Sequence, residues 1–201
     1  MSSQSPAWVS ETFWKKMAIW VTAGSFVLLI FLTFDSMRQI LAGSSRVPDY
    51  SVINKDISYR YDKSRKRFQP VIEGDAPLFG KALSEEQAEQ LVTLGKKTIQ
   101  AKNCMNCHTL LGNGAYYAPD LTKAWLDQAW GSKDIREDLM VQFLMDPEKY
   151  ARTYGSQRKM PQLGITEKEA KAIVAFLKWM SSIDTNGFPN NFTAIGEGEE
   201  E

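Results

Sequence analysis

The stretch NCMNCHTLLGNGAYYAPDL, residues 103–121, contains both cysteines and the one histidine of the 201-residue chain. Cys104, Cys107 and His108 have the spacing Cys-x-x-Cys-His. In this pattern each thiol adds to one haem vinyl group, and the two-residue spacer matches the distance between the vinyls. The histidine that follows is then held beside the iron as an axial ligand. The stretch therefore predicts one covalently bound haem c, attached through Cys104 and Cys107 and ligated by His108.

Two other uses of a Cys-x-x-Cys pair fit this sequence less well. A structural zinc site needs four ligands, and the chain has no second Cys or His pair to complete one. A thioredoxin-like redox pair belongs in a βαβ unit, and no such pattern surrounds these cysteines. Haem attachment is therefore the interpretation that we adopt for the motif.

The second axial ligand follows by elimination from the composition. Bis-histidine ligation is impossible with one histidine, and a methionine thioether is the usual alternative. Met140, Met145 and Met180 lie on predicted helices, where methionine usually fills the core. Met160 lies in a loop whose path Pro161 restricts, so Met160 is the predicted ligand and Met145 the runner-up. His/Met ligation leaves no free coordination position, which favours electron transfer over sensing or peroxidase chemistry.

An uncharged run at residues 17–34 begins near the N-terminus. As a helix it would span about 27 Å, close to the roughly 30 Å hydrocarbon core of a bilayer. A cleavable signal peptide is the alternative, but its apolar region would be longer than usual. We therefore predict an uncleaved transmembrane anchor at 17–34. The flanking charges are nearly balanced, so orientation follows from haem c attachment, which occurs outside the cytoplasmic membrane. Residues 1–16 are then cytoplasmic and the rest periplasmic.

Residues 35–83 form the predicted periplasmic connecting segment, which is irregular and rich in glycine and proline. Ile57, Tyr59 and Tyr61 alternate with polar residues, and Phe68 follows a charged turn, so the segment contains a possible short β-hairpin. The turn carries a basic cluster made of Arg60, Lys63, Arg65, Lys66 and Arg67. Such a cluster either binds anionic lipid or an acidic partner, or is simply solvated, and both interpretations remain open here.

Helices dominate from residue 84 onward. Capping-box patterns, at 84–87 and 166–169, open two predicted helices, and a third helix runs from Ile135 to about Met145. The predicted apolar face of this third helix consists of Ile135, Leu139, Phe143 and Leu144. The fold class is therefore mainly α: one transmembrane helix, then a class I-type monohaem cytochrome c domain at 84–192. The acidic tail at 193–201 is predicted to be disordered.

Several apolar side chains are expected either to wall the haem or to form ordinary core. They are Leu110, Leu111, Leu121, Trp125, Trp130 and Phe176. Gly95 would allow the last helix to cross close to the helix before Cys104. The formal net charge is zero, which gives no support for nucleic-acid binding.

Three stretches resemble the cytochrome c subunit of bacterial nitric oxide reductase: CHTLLGNGAYYAPDL (107–121), RKMPQLGIT (158–166) and FLKWMSSIDTNGFP (176–189). One N-terminal anchor followed by one monohaem domain is the same layout. The resemblance implies a single-pass protein of the cytoplasmic membrane that transfers electrons and is not an enzyme on its own. It would accept electrons from a soluble periplasmic cytochrome c or cupredoxin. It would pass them to a polytopic catalytic subunit with haem b and a haem–non-haem-iron centre, where NO is reduced to N2O.

The resemblance also implies roles for residues after the histidine. The carbonyl of Pro119 would accept the Nδ1–H of His108 and so orient the axial ligand. Gly114, through its backbone carbonyl, and Tyr116 would bind a Ca2+ ion that bridges the two subunits. The stretch 112–117 is then the expected contact with the catalytic subunit.

Two other functions fit the same layout. The monohaem subunit of a haem–copper oxidase can share the anchored layout, but the stretches at 112–121 and 176–189 favour the reductase. The chain would also serve as a stand-alone anchored electron shuttle if residues 43–83 form a tether. The aromatic residues of that segment indicate instead that it packs against something.

Overall fold

The computed structural model describes residues 10–44, 46–150 and 158–189. The α-helices are α1 (Glu11–Ile40), α2 (Glu85–Ala101), α3 (Lys133–Met145), α4 (Pro147–Tyr150) and α5 (Glu167–Ser181). The strands are β1 (Lys55–Asp62), β2 (Arg67–Asp75), β3 (Thr109–Leu110) and β4 (Asn113–Gly114). The predicted mainly α class with an N-terminal apolar helix is confirmed. The predicted tail at 193–201 lies outside the described residues.

Helix α1 extends beyond the uncharged run at both ends. It begins after Ser10, whose hydroxyl accepts the N–H of Phe13 at 3.4 Å, and Arg38 lies in its last turn. Its 30 residues span about 45 Å. The mean hydropathy reaches 2.2 over 18 residues, and no described side chain of α1 is buried against the rest of the protein. A helix that is apolar on all sides and long enough to cross a bilayer fits a membrane anchor.

The connecting segment packs onto the helical domain. The 3-10 turn Tyr50–Asn54 buries Ile53, and β1 buries Ile57 and Tyr59. Strands β1 and β2 pair in antiparallel register, which confirms the predicted hairpin, and the ring of Tyr59 stacks on Phe68 with 5.6 Å between centroids. These residues belong to the same apolar core as the helices. The hairpin is therefore part of the folded domain and not a free tether.

Helices α2 and α5 cross in contact at Gly95. A Cβ atom built on Gly95 would lie 2.6 Å from the carbonyl carbon of Ala172 and 2.8 Å from the Cβ of Phe176. Only glycine allows the two backbones to approach so closely. Both predicted capping boxes are present at the starts of these helices. The crossing brings the end of α2, where the cysteines follow, against the most buried helix of the domain.

The predicted apolar face of α3 is wrong in one respect. Ile135 is 53% exposed, whereas Arg136, Met140 and Val141 point inward and are buried. The guanidinium carbon of Arg136 lies 5.0 Å from the ring centroid of Trp125. A cation over an aromatic face, with carboxylates nearby, makes an inward arginine tolerable. Periodicity of apolar residues alone does not reveal such a site.

Candidate haem-binding site

The cysteines and the histidine lie on one tight turn after α2. Asn103 has a left-handed conformation, with φ of 60°, and ends the helix. The N–H groups of Cys107 and His108 both donate to the carbonyl of Cys104, at 3.1 and 3.0 Å. Both thiols are free and half-buried, and burial raises the pKa of the Cys104 thiol. Two accessible thiols and an imidazole on one turn are the groups that a covalent haem requires.

The ring of His108 is oriented by a backbone carbonyl. Its Nδ1 lies 2.7 Å from the carbonyl oxygen of Pro119. A carbonyl oxygen only accepts, so Nδ1 carries the proton and Nε2 keeps its lone pair. A histidine that ligates a metal usually has such a partner on its other ring nitrogen. The contact thus leaves Nε2 as the atom free to ligate iron.

A carboxylate organises the loop between the histidine and the next helical turn. Asp120 accepts the hydroxyl of Thr109 at 2.6 Å and the N–H groups of Gly112 and Thr122 at 3.3 and 2.7 Å. Sequence reasoning did not single out Asp120. A signal was present, because an aspartate commonly accepts the N–H two residues on and so closes a turn.

The hairpin formed by β3 and β4 projects from this loop. Leu111 and Gly112 both have positive φ, 53° and 75°, as the central residues of a tight two-residue turn require. A Cβ atom at Gly114 would overlap the carbonyl oxygen of His108, so a larger residue does not fit there. The hydroxyl of Tyr116 donates to the carbonyl of Gly112 at 2.9 Å, while 80% of Tyr116 is exposed. Most of the predicted contact stretch is therefore on the surface.

The Met160 loop reaches the loop after His108. Arg158 donates from Nη1 to the carbonyl of Tyr117 at 2.9 Å, and its guanidinium carbon lies 5.1 Å from the ring centroid of Tyr117. Met160 itself is partly buried against the core. The side-chain amide of Gln162 donates to the carbonyl of Met145 at 2.9 Å. Sequence reasoning missed Arg158, since an arginine beside a loop methionine has no distinctive local pattern.

Of the three helical methionines predicted to fill the core, two do so, and the prediction for Met145 is wrong. Met140 and Met180 are buried in the core, and Met145 lies exposed at the end of α3. Among the six residues expected around the haem, Trp125 and Phe176 are buried. Leu110, Leu121 and Trp130 are partly buried against the core, whereas Leu111 is exposed because it occupies the tip of the β3–β4 turn.

A buried lysine joins the loop to the end of α5. Lys123 donates from Nζ to the carbonyls of Ser181 and Ile183, at 3.0 and 2.6 Å. Burial lowers the pKa of Lys123 to about 7, and the nearby carboxylate of Asp184 opposes part of that shift. The sequence offers no signal for this contact, because lysine side chains are almost always exposed.

Groups of three or more His, Cys, Asp and Glu side chains close enough to hold a metal ion are absent from the described parts of the chain. The oxygen atoms predicted to bind Ca2+ are the backbone carbonyl of Gly114 and the hydroxyl of Tyr116, which do not belong to those side-chain types. Both residues lie in the exposed stretch 112–117.

Known proteins resemble this chain over a stretch that includes the haem-attachment motif and is longer than the matched family model. A family model described as Cytochrome c matches residues 92–181. The C subunit of nitric oxide reductase from Stutzerimonas stutzeri is 35% identical over 115 residues, which cover 56% of this chain and 74% of that protein. Its counterpart from Paracoccus denitrificans is 33% identical over 111 residues, covering 55% and 73%. The protein of the same name from Halomonas halodenitrificans is 27% identical over 112 residues.

The matched family model includes the Cys-x-x-Cys-His turn and all of α5, so the covalent haem c of a cytochrome c is expected in this domain. The relatives share more than the haem motif, because the similarity extends over more than half of the chain. This chain is a cytochrome c and belongs to the family of nitric oxide reductase C subunits.

Proposed function

We propose that the chain is the electron-transfer subunit of a nitric oxide reductase and has no catalytic centre of its own. It accepts electrons from a soluble periplasmic cytochrome c or cupredoxin. It passes them to the haem b of a polytopic catalytic subunit, which reduces two NO molecules to N2O and water at a haem–non-haem-iron centre. The name shared by its relatives supports this assignment.

Cys104 and Cys107 hold the haem, and His108 and Met160 ligate its iron. The bound haem supplies a one-electron Fe(III)/Fe(II) couple. The proton on His108 Nδ1, donated to Pro119, keeps Nε2 available as ligand and fixes the ring direction. His108 and Met160, as the two ligands of the iron, would leave no position for a substrate, and the protein would then transfer electrons only.

The observation that carries the proposal is the short, fixed link between the anchor and the haem domain. Helix α1 ends at Ile40, and Arg46 already belongs to the folded domain. The carbonyl of Arg46 accepts the N–H of Asp184 at 3.2 Å, and its guanidinium donates to Asn186 at 2.9 Å. The domain is thus held within a few residues of the membrane, as electron transfer to a membrane subunit requires. A shuttle would need a free tether.

The same contacts support an exit route for electrons at the stretch 112–117. Two residues beyond Asn186, the ring of Phe188 lies 3.4 Å from the position of a Cβ on Gly112. The loop after His108 therefore lies near Arg46, the residue that connects the proposed anchor to the folded domain. This arrangement supports a docking face for the catalytic subunit at the exposed stretch 112–117.

A bridging Ca2+ at Gly114 and Tyr116 is part of this proposal. One carbonyl and one hydroxyl are too few for an ion that takes about six to eight oxygen ligands. Carboxylates near the interface and groups of the catalytic subunit would supply the others. Removing Ca2+ with a chelator should then dissociate the complex or slow reduction of haem b, while the haem c spectrum stays unchanged.

The decisive experiment is purification of the tagged chain from membranes that contain its natural partners. We expect a polytopic protein to co-purify and the complex to consume NO with an electron donor. A complex that consumes O2 but not NO would favour the haem–copper oxidase alternative. A chain that purifies alone from mild detergent would favour the anchored shuttle.

Topology needs its own test, because the periplasmic side follows from haem chemistry and not from charge. We expect protease added to intact spheroplasts to cleave the haem domain, and a cytoplasmic control protein to survive. Protection of the haem domain under these conditions would reverse the proposed orientation.

A further inference from the structure

Arg158 makes a contact whose purpose the haem ligands alone do not explain. We propose that Arg158 is a positioning residue that holds the Met160 thioether on the iron by tying the Met160 loop to the loop after His108. The inference rests on the proposed His108/Met160 ligation. It assigns to Arg158 the task of keeping that ligation intact.

A thioether needs help from the surrounding protein to stay bound. The sulfur of methionine is uncharged and a weak acceptor, and the side chain has three rotatable bonds. Its binding to iron therefore depends on how firmly the loop is held. No backbone-to-backbone hydrogen bond involves residues 158–165 in the described part of the chain. Side chains must restrain this loop.

The loop is restrained on both sides of Met160. After it, Gln162 donates to the carbonyl of Met145, and Lys102 donates to the carbonyls of Leu163 and Gly164 at 3.3 and 3.1 Å. Before it, within residues 158–160, Arg158 is the residue with a side-chain hydrogen bond to another segment. Loss of Arg158 would leave the ligand attached on one side only.

The partner of Arg158 is Tyr117, which lies in the segment that contacts the proposed axial ligand His108. Tyr117 lies two residues before Pro119, the residue whose carbonyl meets His108. One guanidinium group donates to the Tyr117 carbonyl at 2.9 Å and lies 5.1 Å from the centroid of its ring. Arg158 therefore connects the loop of the proposed sixth ligand to the segment that orients the fifth.

The chemistry of this contact explains why arginine is needed. A planar guanidinium can donate to a carbonyl and stack on an aromatic face together, whereas an amide can donate but stacks without charge. Arg158→Gln should keep part of the contact, and Arg158→Ala should abolish it. Lys159 is exposed and has no hydrogen bond or ion pair to a described residue, so Lys159→Ala is a matched control in the same loop.

The test uses the full chain, matured with haem and purified in detergent. Three properties report on the sixth ligand: the far-red sulfur-to-iron absorption band of the oxidised protein, the reduction potential, and CO binding to the reduced protein. We expect Arg158→Ala to weaken the band, lower the potential and raise CO affinity at least tenfold. Arg158→Gln should be intermediate, and Lys159→Ala should match the unaltered protein.

Two results would overturn the proposal. One is that Arg158→Ala and Arg158→Gln both keep the original band, potential and CO affinity. The other is that Lys159→Ala weakens the band as much as Arg158→Ala. Failure of the underlying ligation is a separate outcome, because the unaltered protein would then lack the band, and Met160→Ala would change none of the three properties.

Discussion

The loop after His108 and the β1–β2 hairpin both lie against the helical core, but different kinds of contact hold them. In the loop, Asp120 closes hydrogen bonds to residues two to eleven positions away. The hairpin region instead relies on side chains far along the chain, such as Lys178, which donates to the carbonyl of Ala76 at 2.7 Å across 102 positions. The loop is therefore organised locally, whereas the hairpin depends on the assembled domain.

Three buried cations, Lys123, Arg136 and Lys178, form what we call the hairpin seat. Lys178 and Arg136 lie over Trp125, at 5.1 and 5.0 Å from its ring centroid, and Lys123 lies 5.3 Å from that of Tyr59. Burial lowers the pKa of Lys178 to about 8 and raises that of the nearby Glu137, whose carboxylate accepts the N–H of Phe79. Burying a cation costs free energy unless it has a partner. The hairpin seat is therefore stable only when the carbonyls, carboxylates and aromatic rings around these three side chains are in place.

The largest expected effect comes from removing a cation of the hairpin seat. Lys178→Ala leaves the carbonyl of Ala76 unpaired and empties the space beside Trp125, so we expect a loss of about 3 kcal/mol in the free energy of unfolding. Denaturant unfolding of the full chain in detergent measures it. Lys178→Met fills the same volume and should lose less than about 2 kcal/mol. Equal losses for Lys178→Ala and Lys178→Met would mean that the volume of the side chain at this position does not contribute to stability.

The matching change in the loop should cost less. Asp120→Ala removes three hydrogen bonds, all within a surface loop, and we expect a loss of about 2 kcal/mol. Asp120→Asn keeps an acceptor oxygen and should lose about half as much. The same unfolding assay serves. A larger loss for Asp120→Ala than for Lys178→Ala would reverse the comparison between loop and hairpin.

Stability should rise with pH through Lys123. Its pKa is about 7 in the folded protein, below the ordinary lysine value of 10.5, because burial disfavours the charged form. Between these values the unfolded chain binds more protons, so the folded state gains stability as the pH rises. We expect a gain of about 1 kcal/mol from pH 7 to 8 for this group. Lys123→Met should lack that gain, and an unchanged slope in this variant would show that Lys123 does not titrate there.

The smallest effect is expected on the exposed side of the hairpin. Arg60 lies 3.5 Å from Glu73, and both are well exposed. Exposed ion pairs contribute little, so Arg60→Ala should change stability by less than about 0.5 kcal/mol. Lys63→Ala, in the adjacent turn between β1 and β2, is the control. A loss above about 1 kcal/mol for Arg60→Ala alone would place this pair among the structural contacts of the hairpin.

Two residues of the basic cluster have partners within the protein that the sequence alone does not reveal. Arg67 lies 3.2 Å from Asp184 and donates to Asn186 at 2.7 Å, and Arg65 lies 3.9 Å from Asp184. Arg65 and Arg67 of the cluster thus face an acidic partner within the protein. The sequence showed the charges, but it did not show that their partners lie near the end of the chain.

The parts predicted well from sequence depend on neighbours in the chain. The haem turn, the apolar anchor, the capping boxes and the alternating pattern of the hairpin strands all follow from residues within a few positions of each other, whereas the packing of the hairpin does not. The wrong part, the orientation of α3, depended on Trp125, which lies outside that helix and packs its ring against the guanidinium of Arg136. Apolar periodicity assumes that charged side chains face solvent, and here that assumption fails.

By itself the sequence determined where a haem can attach and which residues are candidates to ligate its iron. One histidine and two cysteines at the required spacing predict a single covalent haem, because the chain has no others, and Met160 is the predicted second ligand with Met145 as the runner-up. Only the tertiary structure decided how that site is held. The contact between Arg158 and Tyr117 and the hairpin seat each join segments that meet only after folding. Their geometry follows from burial and hydrogen bonding across the chain, which local patterns do not encode.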